Sequence, residues 1–246
     1  MNGAIKTVLI LLAGAAGVAF FIDLAGRLVD GKEAQIGFRI PPYRVTLEPK
    51  DRPPWRNPQA VMLLSAKLEE LGYEMTGEYV VPEIRRMKLR GFCHLEENLF
   101  GMVAEMRDSK VIVELMVWRE DGTVVKAGNE RDTGFELPDF LHFQRFDADL
   151  IKNPDAVKDF HEFLVDDSNS VPRGTVTSLE QFETIFEKDW ARVMDWGVER
   201  RDLSEAEVRR VFSFGGYTNV SDRVVQITRR NWRKGMDEYT GRMPAD

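Results

Sequence analysis

Residues 87–127 read MKLRGFCHLEENLFGMVAEMRDSKVIVELMVWREDGTVVKA, and the fold class follows from them. Met87, Leu89, Gly91 and Cys93 alternate with Lys88, Arg90 and Phe92, the period of two that belongs to a strand. Leu99 to Met106, Val111 to Trp118 and Thr123 to Ala127 are three further runs of strand character. Between them stand Glu96-Glu97-Asn98, Asp108-Ser109-Lys110 and Glu120-Asp121-Gly122. A parallel crossover takes about a dozen residues or more, so these short connectors predict antiparallel neighbours. Tyr73 to Val81, ending at Pro82, predicts a strand in front of the run and completes a five-stranded meander. Phe140 to Phe146 is a candidate sixth strand.

Helices flank this sheet on both sides in sequence. Asn57-Pro58 is a start signal: the Asn side chain can accept from a free backbone N–H, and Pro suits the first helical position. Val61, Leu64, Leu68 and Leu71 recur at helical spacing, and Gly72 stands where a left-handed cap belongs, which predicts a helix over 58–71. Asn153-Pro154 repeats the signal and opens a helix to about Leu164. Thr177 or Ser178 with Glu180 or Gln181, and Ser204 with Glu207, have capping-box spacing. The first of these boxes opens a helix with Leu179, Phe182, Phe186, Trp190 and Val193 on one stripe. That stripe reads as core, not as a ligand box. The expected architecture is α+β: an antiparallel meander of five or six strands, with about four helices on one face.

The whole-chain composition is ordinary. Of 246 residues, 43% are hydrophobic and 30% charged, with a net charge of −7. Disorder and low-complexity architectures are excluded, and the acidic balance argues against a nucleic-acid partner. The apolar content is uneven, because Val8 to Ile22 reads VLILLAGAAGVAFFI without a charge. Crossing a bilayer takes roughly 20 apolar residues. Ala4 to Thr7 in front and Asp23 to Val29 behind supply the remainder, with Lys6, Asp23 and Arg27 at the interfaces. The reading is a single-pass transmembrane helix over 1–29; a cleaved signal peptide and a buried core helix are the alternatives. Basic residues after the segment lean toward a cytoplasmic domain, and signal-like N-termini lean the other way. Cys93 is the one cysteine, so no intrachain disulfide is available.

Six of the eleven prolines fall between Pro41 and Pro58. Proline lacks an N–H and fixes φ, so residues 30–57 predict an extended linker, either a spacer or a strap along the domain. Its basic residues Arg39, Arg44, Lys50, Arg52 and Arg56 suit lipid headgroups or plain solvent. The globular domain is placed at 58–214 and a basic tail or helix at 215–246. Beyond residue 29 the chain has lost two bases and one acid, so its net charge becomes −8.

The chemistry-bearing residues form no complete catalytic set. The sequence holds no glycine-rich phosphate loop, no paired cysteines and no Gly-x-Ser-x-Gly elbow. His161-Glu162 begins like a zinc-protease motif, but Val165 stands where the second ligand belongs. His94 with Glu96 and Glu97 sits in a turn where polar residues are ordinary. Cys93 and His94 are adjacent on a strand and point to opposite faces, which separates a thiol from its base. Asp147, Asp149, Asp155, Asp159, Glu162, Asp166 and Asp167 lack the fixed oxygen spacing of a calcium loop and read as a solvated face. Arg223, Arg229, Arg230, Arg233 and Lys234 surround Trp232, a pattern for headgroups, nucleic acid or plain solvent. The loop 128–134 is the expected functional surface, without a named site. Glu105 and Glu114 interrupt apolar strands; both facing solvent on an open sheet side is the expectation, and a shared closed pocket would indicate an enzyme.

An anchor followed by Leu71-Gly72-Tyr73, Gly77-Glu78-Tyr79, Met87 to His94, Glu120-Asp121-Gly122-Thr123, Phe182 to Trp196 and Leu203 to Arg210 resembles a group of bacterial proteins without an assigned activity. These pair an N-terminal hydrophobic segment with one α+β domain. The resemblance covers roughly residues 60–212 and carries over no functional residue. The expected function is a membrane-anchored, non-enzymatic binding domain with a protein or small apolar ligand as partner. A subunit of a larger membrane assembly and an enzyme with dispersed acidic residues are the alternatives. No catalytic, cofactor-binding or metal residue is assigned.

Overall fold

A computed structural model describes residues 41–241 apart from 85–86, 106–109, 130–134, 167–171, 177 and 215–219. Ahead of Pro41 it gives the backbone of three strands, β1 (Val8–Leu12), β2 (Val18–Leu24) and β3 (Ile36–Arg39), in one antiparallel sheet. The expected membrane segment over 1–29 lies outside the described residues except for β1 and β2. Of the expected loop surface at 128–134, residues 130–134 also lie outside them, and Gly128 and Asn129 are buried at the end of the fifth meander strand.

The main sheet has seven strands. The meander is β5 (Glu74–Val80), β6 (Lys88–His94), β7 (Leu99–Glu105), β8 (Val111–Trp118) and β9 (Val124–Gly128), each antiparallel to the next. A two-residue strand from the proline-rich stretch, β4 (Glu48–Pro49), closes one edge against β5. The sixth expected strand, β10 (Leu141–Arg145), closes the other, and it runs parallel to β9. The stretch 129–140 between them gives the dozen residues that a parallel return requires. The tight turn before β9 puts Gly122 at φ +85°, a left-handed conformation that glycine adopts at no steric cost.

Among the described residues there are five α-helices: α1 (Pro58–Glu70), α2 (Val157–Asp166), α3 (Gln181–Arg200), α4 (Glu205–Phe214) and α5 (Asp222–Tyr239). Asn57 Oδ1 accepts from Ala60 N at 3.2 Å and caps α1. Ser204 and Glu207 form both halves of a capping box at the start of α4. Asn153 makes no such bond; a 3₁₀ turn at Pro154–Ala156 leads into α2 instead.

The one-faced helical layer expected from the sequence is corrected here: helices cover both faces. Val61, Leu64, Leu68, Phe160 and Leu164 of α1 and α2 pack on Phe92, Val103, Val113, Leu115 and Val125. Phe182, Phe186, Trp190, Val211 and Trp232 of α3, α4 and α5 pack on Leu89, Cys93, Met102, Ile112 and Met116. Odd and even positions of the central strands are thus both buried, which is why β7 and β8 read as nearly unbroken apolar runs. The first turn of α3 comes so near the sheet that a Cβ at Gly91 would lie 2.4 Å from the Phe182 ring.

Residues 41–57 form a strap. The Trp190 indole donates to the Pro42 carbonyl at 3.0 Å, and Tyr43 donates to Asp195 at 2.7 Å. Leu47 N donates to Glu187 at 2.9 Å and Lys50 N to the Glu78 carbonyl at 2.9 Å. Val45 and Leu47 bury their side chains in the core beneath α3. Prolines leave few backbone donors to satisfy, so side chains of the domain can hold such a segment without a regular ladder.

Candidate functional site

The two carboxylates singled out in the strands behave differently from expectation. Neither faces solvent: Glu105 and Glu114 are both buried. They also do not share a pocket. Glu114 lies opposite Met102 in the β7–β8 ladder, and Glu105 stands three residues beyond Met102, so the two project from opposite faces. The expectation failed because the sheet has no open side.

Glu105 lies on the α1 face. Its carboxylate accepts from Arg56 N at 2.8 Å, from Asn57 N at 2.6 Å and from Lys88 Nζ at 2.6 Å. Lys88 Nζ also donates to the Pro54 carbonyl at 2.5 Å. Burial pushes the Glu105 carboxyl up, but the Lys88 bond and the two backbone donors outweigh it and hold it below the usual range. The arrangement is a clamp on the strap where it turns into α1.

Glu114 lies on the α3 face. Lys126 Nζ sits 3.5 Å from Glu114 Oε1 and 2.5 Å from Asp189 Oδ2, and all three residues are buried. Burial raises the Asp189 carboxyl, and the Lys126 charge only partly offsets it. The nearest sequence clue was Glu114 between Val113 and Leu115; its partner Asp189 lies 75 positions away and is read as one polar residue in an amphipathic helix. A fully enclosed lysine with two carboxylates gives a substrate nothing to reach, so this group is structural.

Cys93 and His94 point to opposite faces, as strand alternation requires. Burial pushes the Cys93 thiol up to about 12, so it stays protonated and inert. His94 instead stacks on His161, with ring centroids 5.6 Å apart. Tyr73 meets both rings edge-on, and its hydroxyl lies 3.2 Å from His161 Nδ1. His94 Nδ1 accepts from Glu97 N at 3.2 Å, and Arg173 binds the Glu97 carboxylate at 2.8 Å. The sequence brought neither histidine to the other, since they stand 67 positions apart on different elements. Among the described residues no group of three His, Cys, Asp or Glu side chains could hold a metal ion.

His161 makes stability depend on pH. Burial lowers the His161 pKa, His94 and Arg173 lower it further, and Glu97 opposes them. The unfolded chain then binds more protons than the folded one below the ordinary histidine value of about 6.5. Stability therefore falls as pH drops from about 6.5 toward the lowered folded value. A His161→Gln variant should lose that slope, and melting temperatures between pH 7 and pH 5 check it. A wild-type melting temperature that stays flat over this window would contradict the assignment.

The acidic residues Asp147, Asp149, Asp155, Asp159, Glu162 and Asp166 are exposed on and before α2, a solvated face as expected. The basic C-terminal cluster is helix α5. Its Trp232 is buried and stacks on Phe135 with centroids 5.9 Å apart, so the indole cannot receive a base. The exposed side of α5 carries Arg223, Gln226, Ile227, Arg230, Arg233 and Lys234. Arg229 of the same cluster is half-buried and donates to the Leu203 carbonyl at 2.8 Å. A shallow open groove of about 310 Å³ runs along this side between the arginine stems. At the other end of α5, Tyr239 donates to the Pro41 carbonyl and stacks on Tyr43 with centroids 5.0 Å apart. The strap thus begins at the C-terminal end of α5.

Comparison with family models, with curated proteins and with solved structures found no match for this chain. Among the described residues no helix is long and apolar enough to cross a membrane.

Proposed function

We propose that this protein is a membrane-tethered binding domain without catalytic activity, attached by its N-terminal segment. The observation that carries the reading is the uncharged run Val8–Ile22, placed ahead of a strap whose first residue, Pro41, is pinned to the domain. An open three-stranded sheet in hydrocarbon would leave its edge N–H and C=O groups without partners. On this reading the segment enters a bilayer as a single helix. Lys6 and the Asp23–Arg27 pair suit the two interfaces. The bacterial resemblance favours a bacterial envelope. Glu105 and Glu114 are buried on opposite faces, so they do not form the shared pocket that would have pointed to an enzyme.

Alkaline carbonate extraction of membranes holding the full chain tests the tether. The wild type should stay in the membrane pellet. An Ile10→Arg, Val18→Arg variant should move to the supernatant, because each arginine near the bilayer centre costs about 2.5–3.5 kcal/mol of insertion free energy. A wild type that washes out completely would overturn the tether.

A further inference from the structure

The exposed side of α5 follows one helical stripe. Arg223, Ile227, Arg230 and Lys234 are spaced by four, three and four residues, with Gln226 and Arg233 on its margin. The opposite side of the helix, Val225, Thr228, Trp232 and Met236, is in the core. The stripe is cationic on a chain whose net charge is −7. Acids on this helix are few: Asp222 is bound by Arg209, Asp237 by Arg201, and Glu238 lies 3.8 Å from Lys234, while Arg233 at the margin is paired with Asp202 at 2.7 Å.

Exposed acids of α2 lie over the sheet face that carries α1, and α5 lies over the other face. An anionic surface repels those acids and attracts the α5 stripe. The point of attachment agrees, since Pro41 is fixed to Tyr239 at the end of α5. At about 1.5 Å per residue, the stripe spans roughly 8 to 24 Å from that point along the helix. A tether leaving there keeps the stripe within reach of headgroups.

We propose that the Arg223–Lys234 side of α5 docks on an anionic lipid surface, with Arg223, Arg230 and Lys234 on headgroup phosphates and Ile227 at the interface. This rests on the tether reading for its geometry. Interfacial helices combine this basic polar face with an apolar residue at the boundary. Each basic residue near an anionic leaflet strengthens attachment roughly fivefold.

The test places an environment-sensitive fluorophore at α5 in the full chain, through an Ile227→Cys substitution. Ile227 is exposed and Cys93 is wholly buried, so the label goes to one place. The labelled protein is mixed with phosphatidylcholine vesicles and with vesicles that also contain phosphatidylglycerol, and flotation reads incorporation. The expected result is incorporation into both, with a blue shift and a several-fold rise in emission only on the anionic vesicles. About 1 M salt shortens the screening length to about 3 Å and should abolish the shift. An Arg230→Glu, Lys234→Glu variant should lose it while still floating with both vesicles. Should that variant unfold, the salt response of the wild type decides alone.

Incorporation into both vesicles with identical emission overturns the docking and leaves the tether standing. Flotation with anionic vesicles alone supports the docking and overturns the tether. Flotation with neither overturns both. A larger emission change with duplex DNA than with anionic vesicles overturns the lipid assignment in favour of nucleic acid.

Discussion

Replacing Lys126 with methionine is expected to destabilise the domain by about 3–5 kcal/mol at neutral pH, the usual cost of leaving a buried charge without its partner. Lys126 is the cation beside both Asp189 and Glu114, and none of the three reaches solvent. Methionine fills a similar volume, so the loss is electrostatic and not a cavity effect. The pH dependence identifies it. Burial already raises the Asp189 carboxyl with Lys126 present, and removing the cation raises it further. A raised folded value means stability that is fully present below the unfolded pKa of about 3.9 and lost as pH rises through the folded value. The deficit of Lys126→Met should therefore be larger at pH 7 than at pH 4. Urea unfolding at the two values measures it. A triple replacement with Asp189→Leu and Glu114→Gln should recover much of the loss, since an apolar set of similar volume often matches a buried ion group. A deficit independent of pH would show that packing, not charge, holds this part of the core.

The second large effect is expected at Glu105. Glu105→Ala takes the acceptor from Arg56 N and Asn57 N and leaves the buried Lys88 without its carboxylate, beside the Pro54 carbonyl and the Trp55 ring. The expected loss is again about 3–5 kcal/mol. Its distinguishing sign is local: residues 50–57 should become sensitive to protease well before the domain unfolds, because the strap loses its clamp there. Glu105→Gln keeps an oxygen acceptor for the backbone and should cost less. The carboxyl is held low in the folded chain, so its contribution is present above the unfolded value of about 4.3 and lost as pH falls through the folded value. A double Lys88→Met, Glu105→Met variant tests whether the pair or the cavity carries the effect. Equal destabilisation by single and double variants would assign it to packing.

Glu105 and Glu114 also show where sequence reading reached its limit. Strand alternation placed Cys93 and His94 on opposite faces, and the same rule separates the two glutamates once the β7–β8 register is known. Register is a pairing between distant residues, so no local pattern supplies it. The same holds for His94 with His161 and for Lys126 with Asp189. Each partner taken alone looks like an ordinary turn, helix or strand residue, and each pair exists only because α2 and α3 settle on the sheet. The Trp232 cluster was legible as a basic tail or helix, and the structure makes it a helix whose indole packs on Phe135 in the core and not in a ligand groove.

The sequence by itself determined the strands of the meander, their antiparallel order and the helix starts at Pro58 and Glu205, because periodicity, short turns and caps are local properties. It also determined that an uncharged run precedes a proline-rich stretch. Only the tertiary structure decided that helices cover both faces, that β10 returns parallel to β9, and that residues 41–57 are bound as a strap. Those outcomes depend on which apolar surfaces meet and on which distant donors find acceptors. A strand buried on two sides differs from one buried on one side by its neighbours, and neighbours across a fold are not written in the spacing of residues along the chain.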